Sequence, residues 1–167
     1  MFMTLAIFFG SILGLLIVSA FFSGSETALT AVSKARIRHL ADEGNKKAAE
    51  VEKLISQQDK LISTLLLGNN LVNILASALT TSLFISLFGD VGVIVATIVM
   101  TSLVVIFAEI LPKIIALKYS DMWSLKAALP IKITIKILGP LANLAQKASS
   151  YFVRNNNESK KLVDAHD

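Results

Sequence analysis

The chain contains no cysteine. That excludes disulfides and any metal site built on thiolates. Histidine is nearly absent as well, with His39 in a basic stretch and His166 in the tail. The chain therefore has no thiol or paired imidazoles for a soft-metal centre, and no nucleophile–base constellation for hydrolytic chemistry. The reading is accordingly not an enzyme. Charge is missing over long stretches: none falls in residues 1–25, 61–89 or 91–108. The basic residues that give a net charge of +4 lie in amphipathic segments without interleaved aromatics, which argues against a nucleic-acid surface.

What is present is apolar. Hydrophobic residues make up 54% of the 167, and the mean hydropathy is +0.67, too high for an ordinary soluble domain. A bilayer crossing takes roughly 20 apolar residues, so the uncharged runs predict three spans at about 3–30, 61–87 and 91–115. The first is not read as a signal peptide. Met1-Phe-Met-Thr lacks a positive n-region, the apolar run is too long, and no clean small-x-small cleavage site follows.

Seven basic residues, from Lys34 to Lys60, lie between spans one and two. The rest follow span three, and only Asp90 separates spans two and three. The positive-inside rule then puts the N-terminus outside and the C-terminus in the cytoplasm, in the cell (inner) membrane.

The most informative stretch is Ile106-Phe-Ala-Glu-Ile-Leu-Pro-Lys113. Glu109 is a carboxylate inside an apolar span, which is by default a functional-site hypothesis. Pro112 removes a helical hydrogen bond and pushes away the carbonyl four residues back, that of Ala108. Together they offer hard oxygen ligands suited to a small divalent cation.

Each of the other spans has its own polar interruption. Span one carries Ser23, Gly24, Ser25 and Glu26. The Ser-Gly-Ser cluster is read as lining a bundle interior, with Gly24 loosening the helix. Glu26 is either a secondary cation contact or a residue at the membrane edge. Gly10 and Gly14 form a small-xxx-small pattern that allows a dimer contact or arises by chance. Span two carries Asn69 and Asn73 on one helix face, with Asn70 pointing elsewhere as a possible further cation contact. Buried amides in a membrane need partners. They serve either as interhelical hydrogen-bond groups or as neutral oxygen ligands. Counted from the inner face at 1.5 Å per residue, the three interruptions fall within about one or two helical turns of one level.

Taken together, Phe22-Ser-Gly-Ser-Glu-Thr-Ala28, Gly68-Asn-Asn-Leu-Val-Asn73 and Glu109-Ile-Leu-Pro-Lys113 resemble the three signatures of the transmembrane domain of the CorB/CorC magnesium transporters and the related cyclin M proteins. The similarity runs over roughly residues 5 to 150. The resemblance implies an all-α integral membrane fold, a homodimer with three transmembrane helices per protomer and amphipathic juxtamembrane helices. It implies Mg²⁺ efflux coupled to Na⁺ entry. Ser23 and Ser25 would supply hydroxyl or backbone oxygens, Asn69 and Asn73 amide oxygens, Ala108 a carbonyl and Glu109 the charge, while Pro112 shapes the third span. Such proteins usually continue into a nucleotide-binding regulatory module, so the expectation is a membrane-domain fragment or a minimal member without it.

The expected organisation is a core at 1–118, with juxtamembrane helices at 34–58 broken near Gly44-Asn45. Belt helices follow at 119–152 and a disordered tail or linker at 153–167. Ile131-Lys-Ile-Thr-Ile-Lys-Ile137 alternates like a strand, but an open strand edge at a membrane is unfavourable. It is read as helix, bent at Gly139-Pro140, with too many charges for a fourth full span. Besides a transporter, the remaining function class is a non-transporting membrane anchor or Mg²⁺ sensor, in which the polar cluster only holds helices together.

Overall fold

The structure, a computed structural model, describes residues 2–163, with the side chains of Met3 and of residues 5–144. Every element among the described residues is helical. In order these are α1 (Phe2–Ala31), α2 (Lys34–Asp42), α3 (Lys46–Ser56), α4 (Gln58–Phe88), α5 (Val91–Leu103), a π-helical segment (Val104–Ile110), α6 (Leu111–Lys118) and α7 (Ser120–Val163).

Four stretches are long and apolar enough to cross a bilayer, where the sequence reading expected three. They are Leu5–Ala31, Gln58–Phe88, Val91–Lys118 and Ser120–Leu144. The last is the least apolar, with a mean hydropathy of 1.3 against 1.9 to 2.7 for the others. The first three expose rows of large apolar residues, among them Ile7, Leu13, Ile17, Ile74, Ile94 and Ile98. Apolar surface on that scale belongs in lipid or against a partner.

The turns follow from their residues. Between α4 and α5 the chain reverses at Gly89, whose φ of +63° is open to glycine at little cost. Gly92 then packs on the backbone of Phe84 and Ile85, where a side chain would collide with the Phe84 carbonyl. The short helices are capped: the Ser33 hydroxyl accepts from the Arg36 N–H, and the Asn45 side-chain oxygen accepts from those of Lys47 and Ala48. Gly44, at φ +89°, makes the break between them.

Two cores hold the elements. One, at the end carrying the charged helices, joins Phe22 and Leu29 of α1, Ile37 of α2, Val51 of α3, Leu61 and Leu65 of α4, and Ile131 of α7. The other joins Ile12, Ala76, Leu83 and Met100 along α1, α4 and α5.

Helix α7 runs through Pro130 and Pro140 as one element, so no helix break marks the bend expected at Gly139-Pro140. It also runs to Val163, across most of the stretch expected to be a disordered tail; residues 164–167 lie outside the described residues. The alternating isoleucines are helical, with Ile131 fully buried and Lys132 at the surface.

The path of α7 is fixed by four neighbours. Asp121 pairs with Arg36 of α2 at 2.6 Å. Trp123 donates from Nε1 to Ser25 Oγ of α1 at 3.2 Å. Lys132 pairs with Glu50 of α3 at 2.8 Å, and Gly139 faces Lys60 at the start of α4.

Candidate cation site

Helices α1 and α4 are antiparallel neighbours. Ser19 meets Asn69 and Asn73, and Phe22 stacks over Gly68, where an added Cβ would stand 3.1 Å from the ring. Gly68 thus lets the two helices close on a buried polar layer.

At the centre of that layer is Ser19, fully buried, with Oγ 2.7 Å from Asn69 Oδ1 and 2.7 Å from Asn73 Oδ1. A hydroxyl has one hydrogen to donate. It satisfies one amide oxygen at a time, and the second close oxygen needs another positive partner. Either one amide turns its NH₂ towards Ser19, or the three oxygens share a cation. One turn further along the same face lies Ser23, also fully buried, whose hydroxyl has no hydrogen-bond partner. A buried orphan hydroxyl is uncommon enough to call for an explanation.

The other residues singled out from the sequence fall into different surroundings. Ser25 is fully buried but is tied to α7 as the acceptor for the Trp123 indole N–H. Gly24 lies beneath that indole, where a Cβ would stand 2.5 Å from Cζ2. Glu26 is half-buried, and its backbone carbonyl accepts from Thr30. Asn70 is exposed. With Asn73, Ser77, Thr81, Thr97 and Thr101 it lines a groove of about 580 Å³ between α4 and α5.

Ala108 and Glu109 lie in the π-helical segment, which packs against α1. The Leu111 N–H donates to the Ile106 carbonyl, five residues back. The next residue, Pro112, has no N–H, so it supplies neither the Phe107 carbonyl five back nor the Ala108 carbonyl four back. The sequence pointed to a freed carbonyl, and the helix here is widened as well. Such π turns are often found at functional sites. Ala108 and Pro112 are buried, and Glu109 is half-buried.

The ion pairs among the described residues are Arg36–Asp121, His39–Glu43, Lys53–Glu50 and Lys132–Glu50, and none involves Glu109. Nor do described hydrogen bonds join its carboxylate to the Ser19–asparagine layer. Among the described residues no group of three or more His, Asp or Glu gathers at one place. A cation here would be held largely by hydroxyl, amide and carbonyl oxygens.

Sequence reasoning missed Ser19. The available signal was its position four residues before Ser23, on the same helix face. It also missed Trp123 as a neighbour of the Ser-Gly-Ser cluster.

An all-helical apolar chain with a buried oxygen layer between two spans defines an integral membrane domain. Residues 10–166 match the cyclin M transmembrane N-terminal domain, and the chain belongs to that family. It is similar to the UPF0053 inner membrane protein YfjD of Escherichia coli, 49% identical over 62% of this chain and 24% of that protein. It is also similar to a UPF0053 protein of Haemophilus influenzae, 41% identical over 75% of this chain and 30% of that protein. A putative chloroplastic DUF21 domain-containing protein of Arabidopsis thaliana is 31% identical over 78% of this chain and 20% of its own length. The chain thus spans a third or less of the length of these relatives.

Proposed function

We propose that this chain is the membrane domain of a Mg²⁺ transporter that exports the ion from the cytoplasm, coupled to Na⁺ entry. The observation that supports it most is the Ser19–Asn69–Asn73 layer, three oxygens within 2.7 Å contacts in a buried, apolar surround. Hard neutral oxygens suit Mg²⁺ or Na⁺ rather than softer metals. Ser23 has a hydroxyl to spare, and Glu109, in a segment packed on α1, brings the negative charge. Ser25, held by Trp123, is the weaker of the two serine ligands, and the Ala108 carbonyl is a further oxygen beside Glu109.

The same reading gives α1, α4 and α5–α6 as three spans, with the N-terminus outside. The contacts of α7 support it. Between Trp123 and Gly139 the helix advances about 24 Å at 1.5 Å per residue. Its neighbours over that distance go from Ser25, near the end of α1, to Lys60, at the start of α4. A spanning helix would instead track towards the far ends of α1 and α4. These contacts support reading α7 as a belt across the cytoplasmic ends. A homodimer would cover part of the exposed apolar surface, with the remainder facing lipid.

The experiment is calorimetric titration of Mg²⁺ into the purified domain in detergent, beside Glu109→Gln and Asn73→Ala. Saturable binding lost in both variants, which still elute as the wild type does, supports the site. Binding that is absent, or indifferent to both, leaves a non-transporting anchor or sensor.

A further inference from the structure

Away from the cation layer, a cavity of about 360 Å³ opens between α3, the start of α4 and α7. Lys53, Lys60 and Lys132 line it, with Glu50 as the one carboxylate, and Leu61 and Ile135 form apolar wall. Glu50 is already engaged, 2.8 Å from Lys132 and 3.5 Å from Lys53. Lys60 is half-buried and has no carboxylate within 4.0 Å among the described residues. Three ammonium groups thus face one carboxylate, and Lys60 is the one left without it, so the cavity is short of negative charge.

Its position says where that charge comes from. Lys60 immediately precedes Leu61, where the uncharged run of α4 begins. The cavity therefore sits at headgroup depth if α7 is the belt described above, and the inference rests on that placement. On α7, Leu129, one turn before Lys132, and Ile133, just after it, are more than half exposed. Three lysines against one carboxylate at that depth, with exposed apolar side chains flanking Lys132, suit an anionic headgroup. Among the described residues no aromatic side chain lines the cavity to stack a nucleobase.

We propose that Lys53, Lys60 and Lys132 form a binding site for the phosphate of an anionic phospholipid, whose acyl chains leave past Leu129 and Ile133 of α7. Lys60 is the main partner of the phosphate. Lys132 is shared between it and Glu50, and Lys53 closes the rim.

The test is native mass spectrometry of the purified protein in detergent with dioleoylphosphatidylglycerol, dioleoylphosphatidylcholine or inorganic phosphate. The expected result is retention of phosphatidylglycerol over phosphatidylcholine, weakened by about fivefold in Lys60→Gln and further in Lys53→Gln/Lys60→Gln. Lys60→Arg should retain it. Equal retention of the two lipids, or phosphatidylglycerol binding indifferent to these variants, overturns the proposal. Displacement of the lipid by millimolar inorganic phosphate overturns it in favour of a soluble phosphate site. Should Lys60→Gln fail to fold, Lys53→Gln, on the exposed rim, decides by the same comparison. Lys136→Cys, the only thiol in the chain, should label from the cytoplasmic side; labelling from the outside overturns the belt placement and the proposal with it. Mg²⁺ calorimetry on Lys60→Gln reads the cation site separately.

Discussion

The indole of Trp123 occupies the space that a side chain on Gly24 would need, its Cζ2 2.5 Å from the position of that missing Cβ. The contact joins the C-terminal helix to the Ser-Gly-Ser stretch of the first span, and the same indole donates to Ser25.

Gly24→Ala should therefore expel the indole. Overpacking of this kind costs about 1–3 kcal/mol. Trp123 is the single tryptophan, so its emission reports the event directly. The expected outcome is a red-shifted emission and a lower melting temperature in detergent. Unchanged emission would mean that α7 does not rest on α1 in this way.

Ser19→Ala removes the hydroxyl between the two amides. It leaves a buried polar group without its partner, a cost of about 1–3 kcal/mol. On the proposed function it also weakens Mg²⁺ binding in the calorimeter. Loss of stability with full Mg²⁺ affinity would make Ser19 a helix-pairing residue and nothing more.

Pro112→Ala restores an N–H beneath the π-helical segment. A proline inside a helix costs about 3 kcal/mol, so the variant should melt no lower than the wild type. If the widened turn holds Glu109 in place for the ion, Mg²⁺ affinity falls by tenfold or more while stability holds. A variant that binds Mg²⁺ as the wild type does would uncouple the π turn from the site.

Glu50 gives a pH prediction. Its carboxyl is held below the ordinary 4.5 chiefly by the hydrogen bond from Lys132, with the charges of Lys132 and Lys53 adding to it and partial desolvation opposing. A depressed carboxyl stabilises the fold above its unfolded value, and the contribution is lost as pH falls through the folded one. Glu50→Gln should thus melt below the wild type at about pH 6, and the gap should close on going well below about pH 4.5. A gap that stays constant over that range would show that the Glu50–Lys132 pair is not its source.

Much of this was legible in the sequence, because membrane spans leave a strong signal in uncharged length. The break at Gly44, the turn at Gly89 and the pairing face of Asn69 and Asn73 could be read from residue type and spacing. Ser19 was harder to single out, since its spacing of four from Ser23 is a weak signal until its asparagine partners are known. The π turn was half visible. Pro112 announces a lost hydrogen bond, but nothing in Val104–Ile110 announces an altered period. Helix α7 was hardest. Its alternation, two prolines and scattered lysines support strand, bent helix or span, and only its neighbours on α1, α3 and α4 separate these.

The extra residue wound into the helix at Val104–Ile110 is a dislocation, and it moves only by changing the register of the chain on one flank. Pro112 pins it on the α6 side, since no N–H there can enter the ladder. Glide is then possible only towards Val104. Each step would swing a residue by about 100° around the helix axis at a rise of about 1.5 Å. A step of the widened turn towards Val104 is therefore the geometric change that would re-aim Glu109 relative to α1 with little change in length.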